Sequence, residues 1–170
     1  MTTLEMLVVT GLYMILLVAV IYFTRATLRR VAGAFVGALA ASLMALGVIA
    51  LCEALGLWNI PFEPNLYFLP IFYLGTAITL APVYLITWRL ARRFGWRGLA
   101  IFIGIVAIIG PPRDYLYAIT FPAWMVFAPG IAPILADSAA YVSMVVLGHA
   151  VMRVISGPAR QDRLARQPPP

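Results

Sequence analysis

The chain has 170 residues, of which 64% are hydrophobic and only 11% are charged. One soluble core of this size cannot bury so much apolar surface, so the composition excludes a water-soluble globular protein and makes a lipid bilayer the solvent. The formal net charge of +6 would suit a nucleic-acid partner in a soluble protein. In a membrane protein the positions of the basic residues are informative rather than their sum, because they indicate the orientation in the membrane. We therefore expect no nucleic-acid partner.

The apolar residues occur in continuous runs whose length suits a membrane-spanning helix, which needs about 20 residues. Backbone N–H and C=O groups cannot remain unpaired in lipid, so a spanning segment is either a helix or a strand of a closed barrel. A barrel strand would alternate apolar and polar residues, and these runs do not. The sequence therefore predicts an all-α fold, a polytopic integral membrane bundle that occupies residues 1–156 as one domain.

The first apolar run, predicted as a helix over residues 5–23, has no basic segment before it. Glu5 is the only charge at its start, whereas Arg25, Arg29 and Arg30 follow it. A cleavable signal peptide has the reverse pattern, and basic residues favour the cytoplasmic side of a membrane. We therefore expect this helix to be retained with its N-terminus outside.

The second run, predicted as a helix over residues 31–55, carries a stripe of small residues. Gly33, Gly37 and Ala41 recur at four-residue spacing. A helix brings residues at this spacing to one face, where their small size lets a neighbouring helix approach closely. The stripe therefore predicts a helix-packing surface.

Three further helices are predicted over residues 69–90, 98–112 and 134–155. Pro111 and Pro112 interrupt the fourth helix after little more than half a span. The stretch 115–133 is rich in proline and aromatic residues, and four structures suit it: a re-entrant segment, an interfacial segment, a broken continuation of helix four, or a sixth span. We prefer five helices with a folded external cap, or re-entrant segment, between helices four and five.

The distribution of arginine favours this topology because basic residues concentrate on the cytoplasmic side. With five helices and the N-terminus outside, only Arg113 lies outside. The other arginines lie inside: Arg25, Arg29, Arg30, Arg89, Arg92, Arg93, Arg97, Arg153, Arg160, Arg163 and Arg166. A sixth span would place the four C-terminal arginines outside. We expect a multi-pass protein of the bacterial inner membrane with its C-terminus in the cytoplasm, ending in a basic, disordered, proline-terminated tail over residues 157–170.

Under the same topology, most acidic residues fall on the external side, where four of them form the candidate site together with an arginine and a tyrosine. Its members are Glu53, Glu63, Arg113, Asp114, Tyr115 and Asp137. A carboxylate within an apolar helix needs a partner or a wet cavity, which makes Glu53 and Asp137 the sharpest candidates. Such a pocket would bind a lipid or isoprenoid headgroup, coordinate a cation or protonate a substrate. Alternatively, these residues are ion pairs, helix caps and headgroup anchors that hold the cap onto the bundle.

Neither a metal site nor a cofactor is predicted. Cys52 is the single cysteine and His149 the single histidine, so a zinc or haem site lacks ligands. Cys52 is interpreted as a small packed residue. We expect His149 to make an interhelical hydrogen bond, with a proton-relay or ligand role as the alternative.

A short passage after the second predicted helix resembles a known family. Residues 61–68 have the sequence Pro-Phe-Glu-Pro-Asn-Leu-Tyr-Phe. This passage resembles the Pro-x-Glu-Glu-x-x-Phe-Phe region of the small membrane-bound lycopene cyclase subunits, which protonate and cyclise a carotenoid. The resemblance implies a proton-donating role for Glu63. The second acid of that motif is replaced by Pro64.

Three functions follow as hypotheses, and whether the chain is an enzyme stays open. The first is an accessory or scaffold subunit that packs with other membrane proteins through the small-residue face of helix two and the aromatic cap. The second is a membrane enzyme or binding protein for a lipid or isoprenoid, with its site in the external acidic pocket. A small transporter ranks last, because helices one and four offer almost no polar residues. Membrane lipids, other membrane proteins and a second copy of the chain are the expected partners.

Overall fold

The computed structural model describes residues 2–61 and 66–159. Within these ranges the chain forms four α-helices and one two-stranded antiparallel ribbon. The elements are α1 (Thr3–Thr24), α2 (Leu28–Ala54), β1 (Trp58–Asn59), α3 (Phe68–Thr120), β2 (Val126–Phe127) and α4 (Ala132–Ser156). All four helices are long and apolar enough to cross a membrane. The all-α class and the membrane-type helices are thus confirmed, whereas the predicted count of five spans is not.

Three of the helices lie close to their predicted bounds. The ends of α1, α2 and α4 fall within three residues of the predicted spans 5–23, 31–55 and 134–155. The N-terminus of α1 is fixed by reciprocal capping, since the Thr2 N–H donates to Glu5 Oε2 at 2.7 Å and the Glu5 N–H donates to Thr2 Oγ1 at 3.2 Å. The predicted tail falls mostly outside the described residues, which end at 159.

The long helix α3 is broken at Gly95, whose backbone angles of φ 67° and ψ −153° suit glycine only. Two hydrogen bonds to α4 show that the chain reverses there. The Tyr84 hydroxyl donates to the Met144 carbonyl at 2.9 Å, and the Ser138 hydroxyl donates to the Ala107 carbonyl at 2.9 Å. A straight helix would separate positions 84 and 107 by about 34 Å, against about 9 Å between positions 138 and 144. Both segments of α3, 68–94 and 96–120, therefore pack along α4.

The predicted end of the fourth helix at residue 112 is wrong, because the helix continues through both prolines to Thr120. Proline at position 111 removes the N–H that would bond to the carbonyl of Ala107. The Ser138 hydroxyl of α4 supplies a donor to that carbonyl instead. Neighbouring hydroxyl groups are a recognised means by which membrane helices tolerate proline. Residues 121–131, which follow, contain β2 and no helix, so they form no sixth span.

The core lies where α2, α4 and the first segment of α3 cross. A Cβ atom at Gly37 would overlap the backbone of Gly148, and one at Gly148 would overlap the ring of Tyr84. Tyr84 and Trp88 of α3 are fully buried beside this crossing. By contrast, α1 buries only Met6, Leu17 and Thr24. The small-residue stripe of α2 thus lies inside the bundle, while α1 is peripheral.

Candidate functional site

The charged residues separate to opposite ends of the bundle. The acidic end holds Glu5, Glu53, Arg113, Asp114 and Asp137, where the start of α1, the end of α2, the end of α3 and the start of α4 meet. The arginine-rich end holds Arg25, Arg29, Arg30, Arg89, Arg92, Arg93, Arg97 and Arg153, around the bend of α3 and the end of α4. Among the described residues, Arg113 is the only arginine at the acidic end.

Two members of the predicted cluster form an ion pair with a tyrosine that sequence reasoning missed. The Arg113 guanidinium donates to Asp114 Oδ1 through Nε at 2.9 Å and through Nη2 at 2.7 Å. The Tyr141 hydroxyl of α4 donates to Asp114 Oδ2 at 2.6 Å and accepts from Arg113 Nη2. The guanidinium also lies 5.3 Å from the centre of the Tyr141 ring. This triad ties the end of α3 to α4 and uses both carboxylate oxygens of Asp114.

Asp137 is the buried member of the cluster. Its side chain is 5% exposed, and its Oδ2 atom has no hydrogen-bond partner among the described residues. It lies one helical turn from Tyr141, on the same face of α4. The Tyr115 hydroxyl and the Trp58 indole N–H are likewise buried without a partner in the described part of the chain. Asp137 lies within electrostatic range of Tyr115 and of the buried Cys52.

Glu53 has a structural role. Its Oε1 atom accepts a hydrogen bond from the backbone N–H of Ile60 at 2.8 Å. The carboxylate therefore holds the chain that leaves α2 and passes through β1. Glu63, the proton donor implied by the lycopene cyclase resemblance, lies outside the described residues.

A cap built from residues 55–61 and 121–131 closes the acidic end. Trp58 pairs with Phe127 and Asn59 with Val126 across β1 and β2, and the ring of Tyr115 stacks on Phe127 with centroids 4.1 Å apart. The cap also reaches α1, because the Trp124 indole N–H donates to Glu5 Oε2 at 3.1 Å. The sequence predicts only that Glu5 lies on this side and indicates no role for it.

The described residues contain no group of three or more His, Cys, Asp or Glu side chains that would hold a metal ion. His149 instead makes an interhelical hydrogen bond to α3, with its Nδ1 atom 2.9 Å from Thr87 Oγ1. The Thr87 hydroxyl donates to the carbonyl of Tyr84 at 2.9 Å. Because a hydroxyl has one proton, the Nδ1–H of His149 is the donor in the first bond.

No protein-family model, curated protein or solved structure matches the chain. The function is therefore argued from the geometry of the two ends.

The arginine-rich end holds a second polar arrangement. Arg30 is only 1% exposed, and its guanidinium donates to the carbonyl of Gly157 at 3.1 Å and to that of Ser156 at 3.2 Å. The same guanidinium lies 5.3 Å from the ring centre of Trp88. A cation at the C-terminus of α4 is favoured by the helix dipole and by the free carbonyls of the last turn. Arg30 therefore fixes α4 against α2 and α3.

Arg30 was predicted only as a cytoplasmic charge, although the sequence holds a signal for its burial. It precedes Gly33, Gly37 and Ala41 by 3, 7 and 11 positions, which places it on the same helical face as the small-residue stripe. An arginine on a packing face has to find acceptors inside the bundle. Tyr141 carries a comparable signal. It follows the candidate residue Asp137 by four positions, which places both on the same face of α4.

Proposed function

We propose that this chain is a non-catalytic membrane bundle that serves as an accessory or scaffold subunit for other membrane proteins. One observation carries this function: the described carboxylates of the acidic end are largely used for internal contacts. Glu53 holds the Ile60 N–H, and both oxygens of Asp114 are bonded by Arg113 and Tyr141. Groups committed in this way hold the cap to the helices and are poorly placed to exchange protons with a substrate.

We further propose five spans, with the N-terminus outside and the C-terminus in the cytoplasm of a bacterial inner membrane. The reversal at Gly95 supports this count, because segments 68–94 and 96–120 each exceed the length of about 20 residues that a membrane crossing needs. The orientation is supported by the arginine-rich end, which the positive-inside rule assigns to the cytoplasm.

The partner surface is better placed on α1 than on the small-residue face of α2. Gly33 and Gly37 pack against Ser156 and Gly148 of α4, so that face is already covered within the chain. Helix α1 exposes large apolar side chains around most of its circumference, including Leu4, Leu12, Ile15, Val18 and Phe23. A neighbouring membrane protein or a second copy of this chain would dock on α1, and lipid covers it otherwise.

A second candidate function is binding of a lipid or isoprenoid at the acidic end. Asp137, Tyr115 and Trp58 support it, because each has a buried polar atom without a partner in the described ranges. One of them, Tyr115, lines a cavity of about 250 Å³ together with Pro122, Met125 and Phe127 among others. Its apolar walls suit a hydrocarbon chain, and the buried Tyr115 hydroxyl, which lies within electrostatic range of Asp137, would hold a hydroxyl or headgroup.

The experiment that separates these functions is mild extraction of the intact protein followed by native mass spectrometry. A stoichiometric protein partner supports the accessory subunit. This partner should be displaced by Ile15→Trp on α1, and it should remain bound when the buried Leu17 is replaced by Met. A retained lipid or isoprenoid with no protein partner supports the second candidate. This ligand should be lost in Asp137→Asn and retained in Glu53→Gln. Isolation of a bare monomer contradicts both.

A further inference from the structure

A cavity of about 340 Å³ lies at the arginine-rich end, between α2, both segments of α3 and α4. The polar and aromatic side chains of its lining are Arg30, Trp88, Trp96, His149 and Arg153, and the reversal at Gly95 forms part of its wall. No Asp or Glu lines it within the described part of the chain. The cavity is therefore electropositive and cannot be a cation site.

The donors of this cavity differ in how firmly they are held. Trp88 is 0% exposed, and its indole N–H has no hydrogen-bond partner among the described residues. The ring of Trp88 is fixed by the guanidinium of Arg30, which is itself anchored to the last turn of α4. Arg153 is exposed on α4, so its guanidinium is free to turn toward a ligand. A buried N–H without an acceptor costs free energy unless a ligand supplies one.

We propose that this cavity binds an anionic phosphate group, as carried by the headgroup of an acidic membrane lipid or by free phosphate. Arg153 would pair with the phosphate oxygens through its planar fork of donors. The Trp88 N–H is fully buried, so it would give a further hydrogen bond once binding moves the side chains that cover it. The electropositive field of Arg30 adds to the attraction without requiring that side chain to move. The position suits a headgroup, since basic pockets between transmembrane helices at the cytoplasmic side are the usual sites for anionic lipids.

Neighbouring residues support a lipid at this position. Trp96 lines the cavity and is 75% exposed, and an amphipathic indole ring is favoured at the level of the headgroups. The lining also includes Leu99 and Met152, whose apolar side chains suit the glycerol and the start of an acyl chain. This site lies at the opposite end from Asp137; it rests on the orientation proposed above but not on the role as an accessory subunit.

The test uses the full-length protein in nanodiscs of phosphatidylcholine alone and of phosphatidylcholine with increasing phosphatidylglycerol. Thermal unfolding and native mass spectrometry report binding, and a separate series adds inorganic phosphate to the phosphatidylcholine nanodiscs. Phosphatidylglycerol should raise the unfolding temperature and remain bound to the wild type. Arg153→Gln should weaken that binding by about tenfold, the value expected for loss of one charge-assisted hydrogen bond.

Two further variants keep the test decisive. Arg93→Gln removes an exposed arginine at the same end that does not line the cavity, so it should bind like the wild type. Trp88→Phe keeps an aromatic ring beneath Arg30 but removes the N–H, and it should weaken binding by about fivefold. This variant replaces Arg153→Gln as the test if the latter does not fold.

Each outcome is informative. A response to inorganic phosphate that depends on Arg153 identifies free phosphate as the ligand, whereas a response to phosphatidylglycerol alone identifies a lipid headgroup. Equal losses in Arg153→Gln and Arg93→Gln would mean nonspecific charge attraction and would overturn the site. Absence of any preference for phosphatidylglycerol or phosphate would overturn it as well.

Discussion

The Ser138 hydroxyl of α4 lies 2.9 Å from the carbonyl oxygen of Ala107. Pro111 has no backbone N–H, so this carbonyl lacks the donor that it would have in a regular helix. A helix of a membrane protein has no water to replace the missing bond, so the hydroxyl of a neighbouring helix takes that place. The bond compensates for Pro111 within α3, which continues to Thr120 and brings Arg113 and Asp114 to Tyr141.

Ser138→Ala should lower the free energy of unfolding by about 1 kcal/mol, as for loss of one interhelical hydrogen bond. The loss should nearly vanish in a Pro111→Ala background, because alanine at position 111 restores the backbone N–H. Reversible unfolding in detergent measures both values as a double-mutant cycle. An equal loss in both backgrounds would show that Ser138 does not compensate for the proline.

The crossing of α2 and α4 should tolerate no side chain at Gly37. In Gly37→Leu the new side chain meets the backbone of Gly148, which cannot move aside as a flexible side chain would. We expect loss of folded protein, or destabilisation of about 1–3 kcal/mol if the helices separate slightly. The matched control is Gly47→Leu in the same helix, where nothing lies within 4 Å of the added Cβ. Size-exclusion chromatography and thermal unfolding compare the two, and similar behaviour would refute the close contact.

The triad at the acidic end should contribute to stability through Tyr141. Tyr141→Phe removes the donor to Asp114 and an acceptor for Arg113 while keeping the ring beneath the guanidinium. We expect a loss of about 1–2 kcal/mol. Arg113→Gln should also destabilise the protein, whereas Arg97→Gln, at an exposed position of the other end, should have little effect. Loss of a native lipid in Arg113→Gln with the fold intact would instead favour a binding site.

Thiol labelling tests the orientation in the membrane. In a Cys52→Ala background, Asn59→Cys places a thiol at the exposed residue of β1 in the cap, and Arg93→Cys places one near the bend of α3. An impermeant thiol reagent applied to intact spheroplasts should label position 59 only, and permeabilisation should make position 93 reactive. Labelling of position 93 from outside, with position 59 protected, would reverse the topology.

Much of the fold follows from local composition. The bounds of α1, α2 and α4 were predicted within three residues, because the length of an apolar run is set by the thickness of a bilayer rather than by neighbouring helices. Only part of the predicted cluster comes together in the structure, since Arg113 and Asp114 bond to each other. Glu53 bonds to Ile60 instead, and Asp137 is buried with its Oδ2 atom unpaired in the described ranges. The sequence indicates which charged residues lie at this end, but tertiary packing determines which group each of them contacts.

By itself the sequence determined that the chain is all-helical and of membrane type, and it marked the stripe of Gly33, Gly37 and Ala41, because burial in lipid leaves these patterns in every local segment. Only the tertiary structure decided that α3 passes through Pro111, that Arg30 is anchored to the end of α4, and that Trp58 pairs with Phe127. Each of these depends on a donor, acceptor or strand supplied from a distant part of the chain, and no local pattern specifies which distant group arrives.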